Sequence, residues 1–353
     1  MSDNITWPTL LTQLLEGTNL SIAEATWAMN EMVGGTASAS QIAAFLIALR
    51  AKGETVDEIV GFRDAVLEHA RELPVNPRAL DIVGTGGDRH RTVNISTMAS
   101  IVAAATGVPV IKHGNRAASS ASGSSDVLGE LGLNLDLEPE GVARVFNEIG
   151  ISFAFAALFH PGFRHVGETR REIGVPTLFN FLGPLCNPAR PDATALGCAQ
   201  LDRVALMVGV FQTRDATALV FRGDDGLDEL TTTGHSHLWE VSRGRVVEHD
   251  LNPADLGLPR ARLDDLRGGT PAENAQVVHQ VLAGESGAIR DVVVLNAAAG
   301  LVAFDLAENP SSIETPILER LARHMTACAR AIDSGAAESK LAAWVEATHS
   351  VTS

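Results

Sequence analysis

The chain of 353 residues is poor in aromatic and cysteine side chains. Aromatic residues make up 5% of the sequence, and tyrosine is absent. Because proteins bind single-stranded nucleic acids by stacking bases on aromatic rings, this composition argues against a nucleic-acid surface. The three cysteines, Cys186, Cys198 and Cys328, are widely spaced and form no Cys-x-x-Cys pair. We therefore expect neither a disulfide framework nor a zinc cluster.

Long apolar runs and a leader segment are also missing. No stretch of 18 apolar residues occurs, and the amino terminus lacks the basic and apolar regions of a signal peptide. The formal net charge is −16, which repels nucleic acids and anionic membranes. The sequence therefore predicts a cytoplasmic protein that binds neither nucleic acid nor a membrane. An anionic substrate would require a locally positive site.

Residues 1–72 carry helical signals only. Capping boxes, in which a hydroxyl and an acid or amide three residues later satisfy free backbone N–H groups, occur in succession. Their members are Ser21 with Glu24, Ser38 with Gln41, and Thr55 with Glu58. Apolar residues between these signals follow helical spacing. We expect a small helical domain whose apolar stripes form its core or a dimer surface.

From residue 73 to residue 353 the pattern changes to strands alternating with helices. Strands are expected at 79–83, 108–111, 151–156, 216–221 and 291–295, and helices at 95–105 and 124–131. Such alternation is typical of a mostly parallel sheet that binds ligands at the carboxyl ends of its strands. The predicted fold class is α/β, with a small N-terminal helical domain and a larger α/β domain. The segment near 160–190 fits poorly and is expected to return to the helical domain.

A glycine-rich loop follows the first predicted strand. Its sequence at 84–88 is Gly-Thr-Gly-Gly-Asp, and the helix after it begins near Asn94, Ser96 and Thr97. Glycines expose backbone N–H groups, and a helix N-terminus adds partial positive charge, so the two together favour a phosphate site. Arg89 stands where a dinucleotide fingerprint would need its last glycine. The alternative interpretation is a tight strand-to-helix turn.

A second polar loop follows the second predicted strand. It reads Lys-His-Gly-Asn-Arg-Ala-Ala-Ser-Ser at 112–120, and serines continue to Ser124 and Ser125. Lys112 is one of only three lysines, and a cation at a strand end can face a polyphosphate. The alternative is a solvated polar loop. Two such loops at neighbouring strand ends favour a phosphate site over coincidence.

An acidic run follows the strand predicted at 216–221. It contains Asp224, Asp225, Asp228 and Glu229. Carboxylates so close together repel one another unless a cation offsets them, and Mg²⁺ often bridges carboxylates to substrate phosphates. An acidic surface turn is the alternative. With two phosphate loops in the same chain, a magnesium–diphosphate site is favoured.

Basic residues cluster in the segment that leaves the alternating pattern. Arg164, His165, Arg170 and Arg171 lie there, preceded by His160. Arg170 or Arg171 could bind a substrate carboxylate through two parallel hydrogen bonds. The alternative is a solvated helix face.

These motifs, in this order, resemble the anthranilate phosphoribosyltransferase family. The resemblance rests on the segments at 84–88, 94–97, 112–120 and 228–229, and on Arg-Arg-Glu-Ile-Gly-Val-Pro-Thr-Leu-Phe-Asn-Phe-Leu-Gly-Pro-Leu-Cys-Asn-Pro at 170–188. It extends from about residue 8 to residue 345. Arg89 departs from the glycine common in the family, which bears on the local loop shape.

The resemblance implies the fold of the nucleoside phosphorylase class and a homodimer formed through the helical domain. It also implies transfer of the phosphoribosyl group of 5-phosphoribosyl 1-diphosphate to the amine of anthranilate, a step of tryptophan biosynthesis that requires Mg²⁺. The products are N-(5-phosphoribosyl)anthranilate and diphosphate. Two alternatives remain at this point: a pyrimidine nucleoside phosphorylase of the same fold, or a non-catalytic relative.

The matching positions imply the site residues. Those implied for 5-phosphoribosyl 1-diphosphate are Gly84, Gly87, Asp88, Thr92, Asn94, Ile95, Ser96, Thr97, Lys112, His113, Gly114, Asn115, Arg116, Ala117, Ala118, Ser119, Ser120 and Ser124. The implied magnesium ligands are Ser96, Asp228 and Glu229, and the implied anthranilate contacts are Gly84, Asn115 and Arg170. His113 and His160 are expected to line the path of the aromatic substrate, with His113 a candidate proton acceptor.

Overall fold

The structure is a computed structural model that describes residues 5–116, 122–214 and 216–351. The chain begins with a group of helices: α1 (Trp7–Leu15), α2 (Ile22–Val33), α3 (Ala39–Lys52) and α4 (Val56–Glu68). All three predicted capping boxes are present, at the starts of α2, α3 and α4. Rings at the centre of the group meet edge to face, with centroids 5.7 Å apart for Trp7 and Phe45.

A seven-stranded sheet forms the larger part of the described chain. Its strands are β1 (Leu80–Gly84), β2 (Val110–Gly114), β3 (Ile151–Phe155), β4 (Ala193–Gly197), β5 (Thr217–Gly223), β6 (Ser236–Ser242) and β7 (Arg245–Leu251). The spatial order is β3-β2-β1-β4-β5-β6-β7, with β1 to β5 parallel and β6 and β7 antiparallel at one edge. The chain order reverses between β1 and β4, and open parallel sheets bind ligands at such a point.

Helices cover both faces of this sheet. They are α5 (Ile95–Ala105), α6 (Ser124–Glu130), α7 (Pro139–Ile149), α8 (Ala156–Phe159), α9 (Arg164–Ile173), α10 (Leu201–Thr213), α11 (Pro271–Leu282), α12 (Ala288–Glu308), α13 (Ile317–Asp333) and α14 (Ala336–Ser350). Side chains alternate along each strand. In β1, Ile82 packs with α5 and α12, whereas Val83 packs with α10 and the helices of residues 7–68.

The segment around 160–190 packs against the N-terminal helices. Helix α9 contacts α2 and α3, and Val166 and Leu178 belong to the same apolar core as Phe45. The backbone of this segment approaches the end of α2 closely at Gly162. A Cβ atom at Gly162 would lie 2.7 Å from the Val33 carbonyl oxygen. This segment therefore joins the helical group to the sheet.

One predicted strand is wrong. Residues 291–295 lie inside α12, which continues to Glu308. The run Val292–Val294 is β-branched and suggests a strand, but α12 is buried along nearly its whole length. A continuous apolar run lacks the periodicity that separates a buried helix from a buried strand. The sequence analysis also missed β4, β6 and β7.

Within the described ranges, no helix combines the length and the apolar character needed to cross a membrane.

Candidate active site

The first glycine loop and the acidic pair meet where the strand order reverses. The Gly86 backbone N–H donates to Asp228 Oδ2 over 2.7 Å. A Cβ at Gly84 would lie 2.1 Å from Asp228 Oδ2, and one at Gly197 would lie 1.7 Å from the Asp228 carbonyl oxygen. These distances exclude any side chain at the ends of β1 and β4. Glycine at both strand ends therefore lets residue 228 enter the crevice between them.

Positive backbone angles shape the rest of the glycine loop. Gly86 and Gly87 have φ of 66° and 84°. Arg89 and Arg91 also have positive φ, 64° and 55°, which is uncommon for residues other than glycine. Arg89 thus adopts a glycine-like conformation at the position where the family often has glycine. The loop is anchored at its end by Thr92, which pairs with Arg267.

The N-terminus of α5 faces the acidic pair. The Ser96 backbone N–H lies close enough to the Glu229 carboxylate to act against the burial that raises the pKa of this group. The side chain of Asn94 does not cap the helix but donates to the Ser122 carbonyl at 3.1 Å, and it accepts from Asn274 Nδ2 at 2.8 Å. The first turn of α5 therefore retains N–H groups that an anion can use.

Two further predicted residues of α5 point inward. The side chains of Ile95 and Thr97 are buried, and Thr97 Oγ1 has no hydrogen-bond partner among the described residues.

Lys112 is buried between β1 and α5. Its Nζ donates to the Ile82 carbonyl oxygen at 2.6 Å and to Ser96 Oγ at 3.1 Å. Burial lowers the pKa of Lys112, although Asp81, Glu229 and Asp228 act in the opposite direction. That this ammonium faces a polyphosphate stays a prediction; in the structure it contacts Ser96, a predicted magnesium ligand.

If all of them were ionised, the carboxylates in the crevice would place more negative charge there than this lysine can offset. Burial and the charge of Asp88 raise the pKa of Asp228 to about 7. Burial and the charge of Asp228 raise the pKa of Glu229 well above its ordinary value. Among their described neighbours, the cation that opposes these shifts is Lys112. An excess of closely spaced oxygen ligands fits a divalent cation such as Mg²⁺.

The described residues contain no group of three or more His, Cys, Asp and Glu side chains arranged as a complete metal site. This does not conflict with magnesium binding, because Mg²⁺ is usually held by one or two carboxylates together with substrate phosphates and water.

The other acidic residues of the run maintain the turn. Asp225 accepts from Thr231 Oγ1 at 2.6 Å and from the Leu227 backbone N–H at 3.0 Å. Asp224 pairs with His237 at 3.2 Å. The run thus separates into a structural pair and the pair Asp228 and Glu229 that enters the crevice.

The second polar loop is described only in part. Gly114 ends β2 in a tight contact, where a Cβ would lie 2.2 Å from Ser124 Oγ. The backbone carbonyl oxygen of Asn115 accepts a hydrogen bond from Ser124 Oγ at 3.3 Å. The side-chain Oδ1 of Asn115 accepts from the Arg116 backbone N–H at 2.8 Å. The predicted contacts Ala117, Ala118, Ser119 and Ser120 lie outside the described residues.

A row of stacked rings leads away from the end of β2. His113 and His160 stack with centroids 5.1 Å apart and planes 9° apart, and Phe163 stacks on His160 at 5.3 Å. Phe163 meets Phe179 edge to face, and the Arg170 guanidinium lies 5.0 Å from the Phe179 ring centroid. Aromatic and cationic groups so arranged form a path suited to an aromatic carboxylate.

Both histidines on this path are neutral at pH 7. Burial lowers the pKa of His113 well below its ordinary value, and it lowers the pKa of His160 to about 4. The two ring nitrogens of His113 are buried and have no hydrogen-bond partner among the described residues. Unpaired buried polar atoms are costly in a folded protein and are typical of sites that bind a ligand.

Buried polar groups behind the site were not predicted from the sequence. Asp81, in the middle of β1, accepts from Asn187 Nδ2 at 2.9 Å and from the His113 backbone N–H at 3.1 Å. Asn187 also donates to the Ile111 carbonyl oxygen at 2.9 Å. The detectable signal was a charged residue within an otherwise apolar strand.

Comparisons with known proteins agree with this arrangement. The model for the helical bundle domain of a glycosyl transferase family matches residues 8–70, and the model for its a/b domain matches residues 76–338. The curated anthranilate phosphoribosyltransferase of Leifsonia xyli subsp. xyli is 67% identical over 348 residues, covering 99% of this chain and 100% of that protein. The corresponding protein of Salinispora arenicola is 54% identical, covering 98% of each.

Solved structures show the same fold. The anthranilate phosphoribosyltransferase of Thermus thermophilus superposes with a TM-score of 0.88 at 40% identity, covering 96% of this chain and 99% of that one. The Saccharomyces cerevisiae enzyme, solved in complex with PRPP and Mg, has a TM-score of 0.86 at 26% identity, covering 99% of each chain. By identity, coverage and fold, this chain belongs to the anthranilate phosphoribosyltransferase family.

Proposed function

We propose that the crevice at the carboxyl ends of β1, β2 and β4 binds 5-phosphoribosyl 1-diphosphate with Mg²⁺, beside anthranilate. The chain transfers the phosphoribosyl group to the anthranilate amine, giving N-(5-phosphoribosyl)anthranilate and diphosphate in tryptophan biosynthesis. The observation that carries the site assignment is the meeting of three distant motifs: the loop at Gly86, the first turn of α5 at Ser96, and the pair Asp228–Glu229.

The magnesium ligands from the protein are assigned as Ser96, Asp228 and Glu229. When bound, the ion supplies positive charge that stabilises the departing diphosphate. Lys112 donates to Ser96 Oγ, so it orients this hydroxyl and reduces the negative charge of the acidic pair. Asp228 accepts from the Gly86 N–H, which fixes the carboxylate relative to the glycine loop.

Backbone N–H groups are assigned to the phosphates. The loop that contains Gly87, Asp88 and Thr92 is exposed at Gly87 and half-buried at the other two residues. This loop and the first turn of α5 from Asn94 to Thr97 offer donors on one side of the crevice. Lys112 to Ser120, with Ser124, are proposed as the remaining phosphate contacts. Fixed N–H dipoles stabilise a growing negative charge without having to reorganise during the reaction.

Anthranilate is placed along the row of rings. Arg170 is assigned to its carboxylate, and Gly84 and Asn115 are assigned to the end nearer the ribose. The 4-fluoroanthranilate complex of the S. cerevisiae enzyme supports an aromatic amine site in this family. The aniline nitrogen is neutral at pH 7 and already nucleophilic, so the chain mainly has to position it. Neutral His113 can accept a proton from it, but its lowered pKa makes it a weak base.

The organisation of the protein is proposed from the same likeness. Residues 1–72 form the helical domain, residues 73–353 form the catalytic α/β domain, and the segment near 160–190 belongs structurally to the first. We infer a homodimer that associates through the helical domain, where Leu15, Ile22 and Ile47 are exposed apolar side chains. A cytoplasmic location is proposed for this biosynthetic enzyme.

The metal assignment is tested by changing the acidic pair. Asp228→Asn with Glu229→Gln removes the proposed magnesium carboxylates, so we expect the Mg²⁺ concentration for half-maximal rate to rise by about tenfold or more, with a lower kcat. The rate is measured from the decrease of anthranilate fluorescence in the presence of 5-phosphoribosyl 1-diphosphate (PRPP).

Asp136→Asn with Glu140→Gln is the matched control, because it neutralises one aspartate and one glutamate that are exposed near the start of α7, outside the turn that carries Asp228 and Glu229. An unchanged magnesium profile in the first variant, or an equal change in the control, would contradict the assignment.

A further inference from the structure

A cavity of about 410 Å³ lies at the end of the sheet opposite to the active-site crevice. Its wall includes Thr194 near the start of β4 and Thr217 at the start of β5. The crevice lies at the other ends of these strands. Since β4 has five residues and a strand rises about 3.3 Å per residue, the two sites are roughly 16 Å apart.

Arginines from four separate segments line this cavity. They are Arg63 of α4, Arg190 before β4, Arg214 at the end of α10, and Arg243 in the turn between β6 and β7. We call the space they line the arginine cavity. In a chain of net charge −16, a convergence of like positive charges is costly unless an anion offsets it.

Among the described residues, acids offset part of this charge, and the charge of Arg190 acts on one of them, Asp64. Asp64 accepts from Arg63 Nη1 at 3.0 Å and also from Arg214, and Asp192 lies on the wall. Arg190 and Arg243 are exposed, and their side chains donate to no group among the described residues. Two guanidinium groups with unused donors therefore remain for a ligand.

The backbone at Arg190 is strained in a way that supports a binding role. Its φ is 50°, and it precedes Pro191, a position where residues favour extended conformations. The strain is maintained by a hydrogen bond from the Arg190 N–H to the Asn187 carbonyl at 3.0 Å. Strain of this kind persists where the surroundings enforce it, and it clusters at ligand sites.

Arg243 also has a positive φ, 47°. There the two-residue hairpin turn that Arg243 forms with Gly244 requires it. The turn therefore explains this angle without any ligand.

We propose that the arginine cavity is a second anion site that binds a small phosphate-bearing molecule. Guanidinium groups bind phosphate oxygens through paired hydrogen bonds, and several can share one multivalent phosphate. The volume suits a small ligand, and Phe211 and Pro310 give the wall an apolar portion for the remainder of the molecule. The ligand would bridge α4 to the β6–β7 turn and so join the helical group to the sheet.

The test is calorimetric titration of inorganic phosphate into the full chain saturated with PRPP and Mg²⁺ but lacking anthranilate, so that the crevice is filled and no turnover occurs. We expect one phosphate bound per chain. Arg190→Gln with Arg243→Gln should weaken this binding by about tenfold or more, since hydrogen bonds to charged groups are involved. Retained anthranilate turnover will show that this variant is folded.

Arg144→Gln with Arg330→Gln is the matched control, because it removes the same charge from exposed positions on α7 and α13. It should leave phosphate binding unchanged. Citrate, titrated in the same way, separates phosphate from polycarboxylate recognition. The proposal is overturned if phosphate does not bind to the PRPP-saturated enzyme, if both double variants weaken it equally, or if citrate binds more tightly than phosphate.

Discussion

At the residue scale, burial sets the chemistry of the aromatic path. His160 is 4% exposed, and burial lowers its pKa from 6.5 to about 4. The folded protein therefore binds fewer protons than the unfolded chain below pH 6.5. Stability provided by the neutral ring is complete above pH 6.5 and is lost as the pH falls towards 4.

Replacing this ring by one that cannot titrate should make the protein less sensitive to acid. In His160→Phe the new ring can still stack between His113 and Phe163. Between pH 7 and pH 4.5 the wild-type free energy of unfolding should fall by about 2 kcal/mol more than that of the variant. Urea unfolding at the two pH values measures the difference. Equal losses in the two proteins would show that His160 is not neutral and buried in solution.

The role of Arg170 can be separated from that of its neighbour. Arg170→Ala should raise the KM for anthranilate by about 10- to 100-fold, as expected for losing hydrogen bonds to a carboxylate, while the KM for PRPP changes little. Steady-state kinetics with each substrate varied in turn measures both constants. Arg171→Ala is the control, since Arg171 is exposed on the same helix. Similar increases in both KM values for Arg170→Ala would refute the assigned partner.

At the scale of elements, a buried ion pair joins the edge of the sheet to helix α13. Glu240 of β6 accepts from Arg320 of α13 at 2.7 Å and 2.6 Å, and from His249 of β7 at 2.6 Å. Burial acts to raise the pKa of Glu240, but these partners outweigh it and the net pKa is lowered. The hairpin β6–β7 is thereby fixed to α13.

Replacing Arg320 alone should lower the free energy of unfolding more than replacing both Arg320 and Glu240. Arg320→Met leaves Glu240 buried without its main partner and should lower the free energy of unfolding by about 3 to 5 kcal/mol. Adding Glu240→Gln should recover a substantial part of the loss, because no buried charge then remains. A double-mutant cycle by urea unfolding measures both. Additive losses would mean that the two side chains do not interact in solution.

The helices also show which elements a sequence predicts well. The three capping boxes and the helix Ile95–Ala105 follow from local signals, because a cap and its helix lie within a few residues of each other. The strand predicted at 291–295 failed because its environment, and not its sequence period, makes the segment helical. Strand β4 was missed because its sequence, Ala-Thr-Ala-Leu-Gly, contains one β-branched residue and no aromatic residue, and because it follows the irregular segment.

At the scale of the whole molecule, the proposed dimer can be tested through its exposed apolar residues. Leu15 is 80% exposed on α1, the largest exposure among the large apolar side chains described. Leu15→Glu should convert the protein from twice the 37.2 kDa of one chain to a single chain at micromolar concentration, because a carboxylate would be buried in the interface. Light scattering after size exclusion measures the mass.

Leu318→Glu on α13 is the control, since Leu318 is also exposed but lies outside the helical group. A monomeric wild-type protein, or a dimer that survives the change at Leu15, would contradict the proposed interface.

The sequence by itself determined the helix caps, the two glycine-bearing loops and the acidic run, because each depends on neighbours within a few positions. The tertiary structure alone decided which acids enter the crevice. It placed Asp228 against the ends of β1 and β4, where glycine leaves room, and it used Asp225 to close a turn. It also buried Lys112 behind Ser96 and gathered distant arginines around one cavity. These outcomes depend on the packing of segments far apart in the chain, which residue spacing does not encode.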